Sequence, residues 1–164
     1  LDIGTGSGCI PIALKKNLPE AEVYAIDISE KALATAMKNA ELNQVDVHFR
    51  LQDILATDDL ESSFDIIVSN PPYVRHLEKI EIQPNVLQYE PHLALFVADD
   101  DALLFYRKIA ALAQKHLTPK GKLYFEINQY LGKETVALVE SFGFTEVRLH
   151  QDIYGNDRMV SAVK

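Results

Sequence analysis

Two short stretches carry residue types that can do chemistry. Gly4-Thr5-Gly6-Ser7-Gly8 sets three glycines at alternate positions, and Ser69-Asn70-Pro71-Pro72-Tyr73 joins an amide, two imino acids and a phenol. Glycine permits positive φ and lets the backbone approach a ligand closely. A helix opening behind such a loop offers free N–H groups and partial positive charge to a carboxylate or phosphate. The dinucleotide fingerprint G-x-G-x-x-G would need its third glycine at position 9, where Cys9 stands. The loop is therefore a weaker fit to a pyrophosphate. Asp27 lies 19 residues past Gly8, at the end of an apolar run. A carboxylate there can accept from both hydroxyls of a ribose, which serves NAD and S-adenosylmethionine alike. Asp53 and Ile54 follow the next apolar run. They pair an acceptor for an exocyclic adenine N–H with an apolar cover for its ring.

The second stretch suits a planar nitrogen. The lone pair of an amide or aromatic amine is delocalised, so the nitrogen is a poor nucleophile. Asn70 Oδ1 and the Pro71 carbonyl can accept its two hydrogens, favouring pyramidal geometry and aiming the lone pair. Pro71 and Pro72 stiffen the turn by removing two donors, and Tyr73 offers a flat π face for stacking. A sulfonium loses its charge as its methyl leaves, so no strong general base is required. Nothing in the sequence marks one.

These residues need strand ends and helix starts to position them. Leu1–Ile3 reads as the tail of a buried strand, with helices expected over 9–17, about 30–42 behind an N-cap at Ser29, about 101–116, and 131–142. Further strands are expected over 22–27, 45–51, 64–69, 122–128, 144–150 and 159–163, and Thr118–Gly121 reads as a turn. Alternation of strand and helix implies a parallel sheet. The last two strands, joined by a short loop, should be antiparallel. The expected architecture is an α/β domain with a mostly parallel seven-stranded sheet, an antiparallel last strand, and helices on both faces. Residues 71–99 hold four of the seven prolines and show little periodicity. Residues 74–99, directly after Tyr73, are expected to form the wall of an acceptor channel, mobile without substrate.

The 164 residues fit one domain. A net charge of -8 disfavours a dedicated nucleic-acid binder. Cys9 is the one cysteine, which fits a reducing, cytoplasmic setting. No apolar run reaches the ~18 residues that span a bilayer. The opening mid-strand suggests that residues precede Leu1. The five histidines lack metal-ligand spacing and read as structural or solvated. Cys9 is expected to pack at its helix start, and Asp99–Asp101 to sit as carboxylates at a helix N-terminus.

At Asp2-Ile3-Gly4-Thr5-Gly6-Ser7-Gly8 and Asn70-Pro71-Pro72-Tyr73 the chain resembles the Rossmann-like class I methyltransferases that modify planar nitrogens. More narrowly it is similar to the HemK/PrmC family, the bacterial release-factor glutamine methyltransferases. Tyr89-Glu90-Pro91-His92-Leu93-Ala94-Leu95, Asp101–Arg107, Phe125-Glu126-Ile127 and Asp152–Arg158 carry that narrower likeness. The resemblance implies S-adenosylmethionine as cofactor, held by Gly4, Thr5, Gly6, Ser7, Gly8, Asp27, Ile54 and Asn70. Asp53 joins them from its chemistry alone. It further implies that Asn70, Pro71, Pro72 and Tyr73 hold the acceptor, the glutamine of a Gly-Gly-Gln motif in a peptide-chain release factor. The expected partner is that protein, with no nucleic acid or membrane, and the enzyme is expected to be a monomer. Residues 1–164 then form the catalytic domain, without the family's N-terminal helical domain and the start of the first strand. Asn128 stands where glycine is common in the family, and Ala102 likewise, as departures of minor consequence. Adenine methylation in DNA or RNA and glutamine methylation of a ribosomal protein remain alternatives. A nicotinamide oxidoreductase is disfavoured by Cys9 and by the lack of a hydride-handling residue. A binding module without catalysis would keep both sites unused.

Overall fold

The apolar run Phe64–Ser69 forms β4 at the middle of a seven-stranded sheet. The structure, a computed structural model, describes residues 1–75, 96–97 and 101–164. On one side β4 pairs in parallel with β1 (Asp2–Ile3), followed outward by β2 (Tyr24–Asp27) and β3 (His48–Leu51), also parallel. On its other side lies parallel β7 (Leu117–Glu126), then β9 (Asp157–Val163), then β8 (Thr145–Gln151) at the edge. β9 runs antiparallel to both of its neighbours. The reversed strand is therefore last in the chain, as expected, yet sits inside the sheet.

Ala25 and Ile26 show how both faces fill. Neighbouring residues of a strand point to opposite faces. Ile26 joins a large core with Ile3, Ile67, Leu123, Phe125, Val160 and the helical residues Tyr106, Ile109, Ala110 and Val139. Those last four lie on α3 (Leu104–His116) and α4 (Gly132–Ser141). Ala25 joins a smaller core with Val23 and Val47, against which Leu14 of α1 (Cys9–Asn17) packs. α2 (Glu30–Leu42) contacts β2 and β3. Ser29 caps α2, accepting from the Ala32 N–H at 3.2 Å, as its position predicts.

Several boundaries differ from expectation. α3 starts at Leu104, after Asp101 rather than at it. β7 starts at Leu117, and Thr118–Gly121 is a bulge inside it: Phe64 pairs with Leu117, and Ile66 next pairs with Lys122. β4 is not buried on both faces. Ile66 (39% exposed) and Tyr124 and Met159 of the adjoining strands leave one face open beyond α1 and α2. A two-residue parallel pair, β5 (Val74–Arg75) with β6 (Phe96–Val97), was not legible in the sequence. The rest of the 74–99 segment lies outside the described residues, as does the Tyr89–Leu95 stretch. Among the described residues no helix is long and apolar enough to cross a membrane.

Candidate active site

The carboxyl ends of β1, β2 and β4 converge. Ile3 is in register with both Ile26 and Ser69, so the glycine loop, Asp27 and Asn70 leave the sheet side by side. The Ser69 hydroxyl donates to the Ile3 carbonyl at 2.7 Å and is 1% exposed, which fastens β4 to β1 where the chain turns. A Cβ on Gly4 would lie 3.9 Å from the Asn70 carbonyl oxygen. A side chain at Gly4 would thus touch the Asn-Pro-Pro-Tyr turn, which runs beside the loop.

Within the loop the glycines have different tasks. Gly6 has φ of 55° and open space where a side chain would be. Gly8 has φ of 83°, and a Cβ there would meet Ala36 at 3.0 Å and Ile12 at 3.1 Å. Gly6 opens the loop to a ligand, whereas Gly8 lets α2 pack against the start of α1. Thr5 is buried, and Ser7 is exposed. Cys9 is exposed too, with its Sγ 3.3 Å from the Ser7 hydroxyl; it does not pack as expected, because it opens α1 on the solvent side.

Asp27 holds this loop. Its Oδ2 accepts from the Gly6 N–H at 2.8 Å and its Oδ1 from the Ser29 N–H at 2.9 Å. A carboxylate offers about four lone-pair sites, so two remain for hydroxyls. Asp53 is half-buried at the end of β3, and its Oδ1 accepts from the Leu55 N–H at 2.9 Å. Ile54 is 9% exposed and packs into the large core with Ile26 and Leu60. It offers the crevice little side-chain surface.

Asp2 was missed in the sequence, where it reads as part of a buried strand. It is 1% exposed, and both of its carboxylate oxygens lack a hydrogen-bond partner, as does the buried Thr5 hydroxyl. Burial pushes the Asp2 carboxyl up to about 6; the nearby Thr5 hydroxyl opposes the rise, and Asp27 adds to it. Buried polar groups normally find partners. These sit at the root of the glycine loop, beside Asp27. The set of Asp2, Asp27 and Asp53 repels a pyrophosphate and favours a cationic, hydroxyl-bearing ligand. The carboxylate acceptors and the open space at Gly6 fit S-adenosylmethionine, which carries a sulfonium, an ammonium and a ribose.

Asn70 is exposed, and its side-chain amide has no hydrogen-bond partner among the described residues. It is free to meet an acceptor. Pro71 is buried and Pro72 half-buried. Tyr73 packs against the large core and is held at both ends. Its phenol donates to Glu126 Oε1 at 3.1 Å, and its carbonyl accepts from Asn128 Nδ2 at 3.0 Å. Burial raises the Tyr73 phenol to about 12, the Glu126 carboxylate raises it further, and Arg158 opposes. The phenol therefore keeps its proton at neutral pH. Glu126 and Asn128 were not placed in the site from sequence. Asn128 is 4% exposed and built into the wall.

The histidines do structural work where they are described. His116 Nε2 accepts from the Leu60 N–H at 3.2 Å while Nδ1 lies 2.9 Å from the Ser62 carbonyl. His48 stacks on Tyr24, with centroids 4.7 Å apart. His150 meets the Ser161 hydroxyl at 2.8 Å. Asp101 sits before α3 and takes a two-pronged contact from Arg107, at 2.9 and 3.1 Å. Asp99 and Asp100 lie outside the described residues. Among the described residues no group of three or more His, Cys, Asp or Glu is arranged to hold a metal.

The chain is 68% identical over 160 residues to the release factor glutamine methyltransferase of Flavobacterium psychrophilum, covering 98% of this chain and 56% of that protein. It is 55% identical over 163 residues to the protein of the same name from Bacteroides thetaiotaomicron, covering 99% and 59%. The chain thus spans somewhat under three fifths of the length of these relatives. Among solved structures, a methyltransferase from Pyrococcus furiosus superposes with a TM-score of 0.72 at 21% identity, covering 100% of this chain and 74% of that one. That likeness supports the fold, a class I methyltransferase sheet with one antiparallel strand. The model of the methyltransferase small domain matches residues 1–90, more than half of the chain, and the chain belongs to that family.

Proposed function

We propose that this chain is the catalytic domain of an enzyme that moves a methyl group from S-adenosylmethionine to the side-chain amide nitrogen of a glutamine in a protein, the Gly-Gly-Gln glutamine of a peptide-chain release factor. The observation that carries the reading is that Ile3 is in register with Ser69, so the glycine loop and the Asn70–Tyr73 turn leave the sheet side by side, the Asn70 carbonyl oxygen 3.9 Å from where a Gly4 Cβ would stand. On this reading the cofactor and acceptor sites lie edge to edge. The names of the two relatives support the choice of acceptor. The acidic crevice supports the cofactor.

S-adenosylmethionine, when bound, supplies an electrophilic methyl on a sulfonium. The residues of the chain do the rest. Gly6 and the start of α1 receive the amino-acid part, Asp27 the ribose, and Asp53 the adenine. Asn70 Oδ1 and the Pro71 carbonyl accept the two amide hydrogens and direct the nitrogen lone pair at the methyl; as the N–C bond forms and the S–C bond breaks, one of these hydrogens leaves as a proton to solvent. Tyr73, fixed in place, stacks on the amide plane. Holding two reactants in line can supply roughly 7–11 kcal/mol in well-oriented cases. The same reading makes the enzyme a cytoplasmic monomer that works on a protein rather than on nucleic acid.

The test is incubation of the full-length enzyme with tritiated S-adenosylmethionine and purified release factor. Label should enter the intact factor and be absent when its Gly-Gly-Gln glutamine is alanine. Equal labelling of the two, or transfer to DNA, RNA or ribosomal protein instead, defeats the assignment.

A further inference from the structure

The turn after β4 has little of its own to hold it, since Pro71 and Pro72 bring no N–H. Its third member is instead fastened by β7 and the residues behind it. The Tyr73 phenol donates to Glu126 Oε1 at 3.1 Å, and the Tyr73 carbonyl accepts from Asn128 Nδ2 at 3.0 Å. Both partners are themselves held. The Glu126 carbonyl accepts from the hydroxyl of fully buried Tyr106 at 3.2 Å, and Tyr106 packs edge-on against Phe125 with centroids 5.2 Å apart. Asn128 Oδ1 accepts from the Tyr130 N–H at 2.9 Å. Arg158, at the start of β9, lies 3.5 Å from Asp152. Tyr73 thus has one tether at its ring tip and one at its backbone, each anchored in the core.

We infer that Glu126 and Asn128 are positioning residues that fix the Tyr73 ring as a rigid wall of the acceptor slot, so that the slot admits a planar group without first having to order that ring. The inference rests on the acceptor reading above. Neither residue touches the acceptor; each acts through Tyr73. A ring free to turn would have to be immobilised when the acceptor binds, and that cost falls on acceptor affinity. Cofactor affinity is set by the loop and Asp27 and should not respond. Glutamine in place of Glu126 can still accept from the phenol.

The experiment uses the full-length enzyme with variants Glu126→Ala, Glu126→Gln, Asn128→Ala, Tyr73→Phe and the Glu126→Ala/Tyr73→Phe double. Glu126→Ala, Asn128→Ala and Tyr73→Phe should each raise the acceptor KM by about tenfold, with cofactor Kd changed less than about twofold. The double variant should be no worse than its singles, because both remove one bond. Glu126→Gln should restore most of the loss. A second readout needs no substrate: 3-fluorotyrosine labelling, with the Tyr73 fluorine resonance assigned by its absence in Tyr73→Phe. Glu126→Ala should shift and sharpen that resonance, and Glu126→Gln should leave it near its original place. Additive losses in the double variant, an equal loss of cofactor affinity, or a fluorine resonance indifferent to Glu126→Ala overturns the inference. If wild-type enzyme fails to methylate the glutamine while the fluorine resonance responds as described, the acceptor assignment falls and the tether stands.

Discussion

Asp27 closes two backbone hydrogen bonds at once, to Gly6 and to Ser29. It thereby shapes the loop that it would share with a cofactor. Asp27→Ala should weaken S-adenosylmethionine binding in calorimetry by about 1.5–3 kcal/mol, the range for hydrogen bonds to a charged group. Unchanged affinity contradicts its role. Asp2 leads to a pH effect. Its carboxyl is raised from 3.8 to about 6, so its contribution to stability is complete below about 3.8 and is lost as pH rises through about 6. The rise corresponds to roughly 3 kcal/mol. Urea unfolding should show Asp2→Asn gaining on the wild type across that interval and keeping its lead at neutral pH. A constant difference from pH 3.5 to 8 rules this out. Asp27 was legible because a carboxylate ending a β-branched run has few other tasks. Asp2 was not, because its neighbours read as core and only its unpartnered oxygens set it apart. Glu126 and Asn128 escaped for a related reason. Their importance comes from a bond to Tyr73 across some fifty positions of sequence, which local spacing does not reveal.

The glycine loop works as an element only because α1 and α2 can close behind it. Gly8 sits at φ of 83° with Ala36 and Ile12 where its Cβ would be. Gly8→Ala combines left-handed strain, about 1–2 kcal/mol, with overpacking, about 1–3 kcal/mol. Its thermal midpoint should fall by several degrees or more, and cofactor affinity should fall with it. Full stability in Gly8→Ala would show that the helices tolerate separation. Helix and strand identities were read from periodicity and capping. The ends shifted where tertiary pairing decided the matter: Thr118–Gly121 has the composition of a turn, yet it bulges from a strand whose pairing resumes at Lys122.

At the scale of the whole molecule, strand order is what brings the sites together. β1 lies between β2 and β4, so the glycine loop is flanked by Asp27 and by Asn70. Alternating strands and helices announced a parallel sheet, and a short final loop announced a reversed strand. The placement of that strand between β7 and β8 was not legible, because hairpin geometry says which strands pair and not which one the sheet receives inside. The most direct measurement is single-turnover methylation of release factor by the full-length enzyme, comparing wild type with Asn70→Ala. Asn70 is exposed, so its loss leaves the core intact while removing the acceptor for the amide hydrogen. Loss of one preorganised polar contact predicts a fall of roughly 10²–10³ in rate, with cofactor affinity nearly unchanged. An Asn70→Ala enzyme that keeps more than about a third of the wild-type rate, a deficit under ~1 kcal/mol, contradicts the amide clamp.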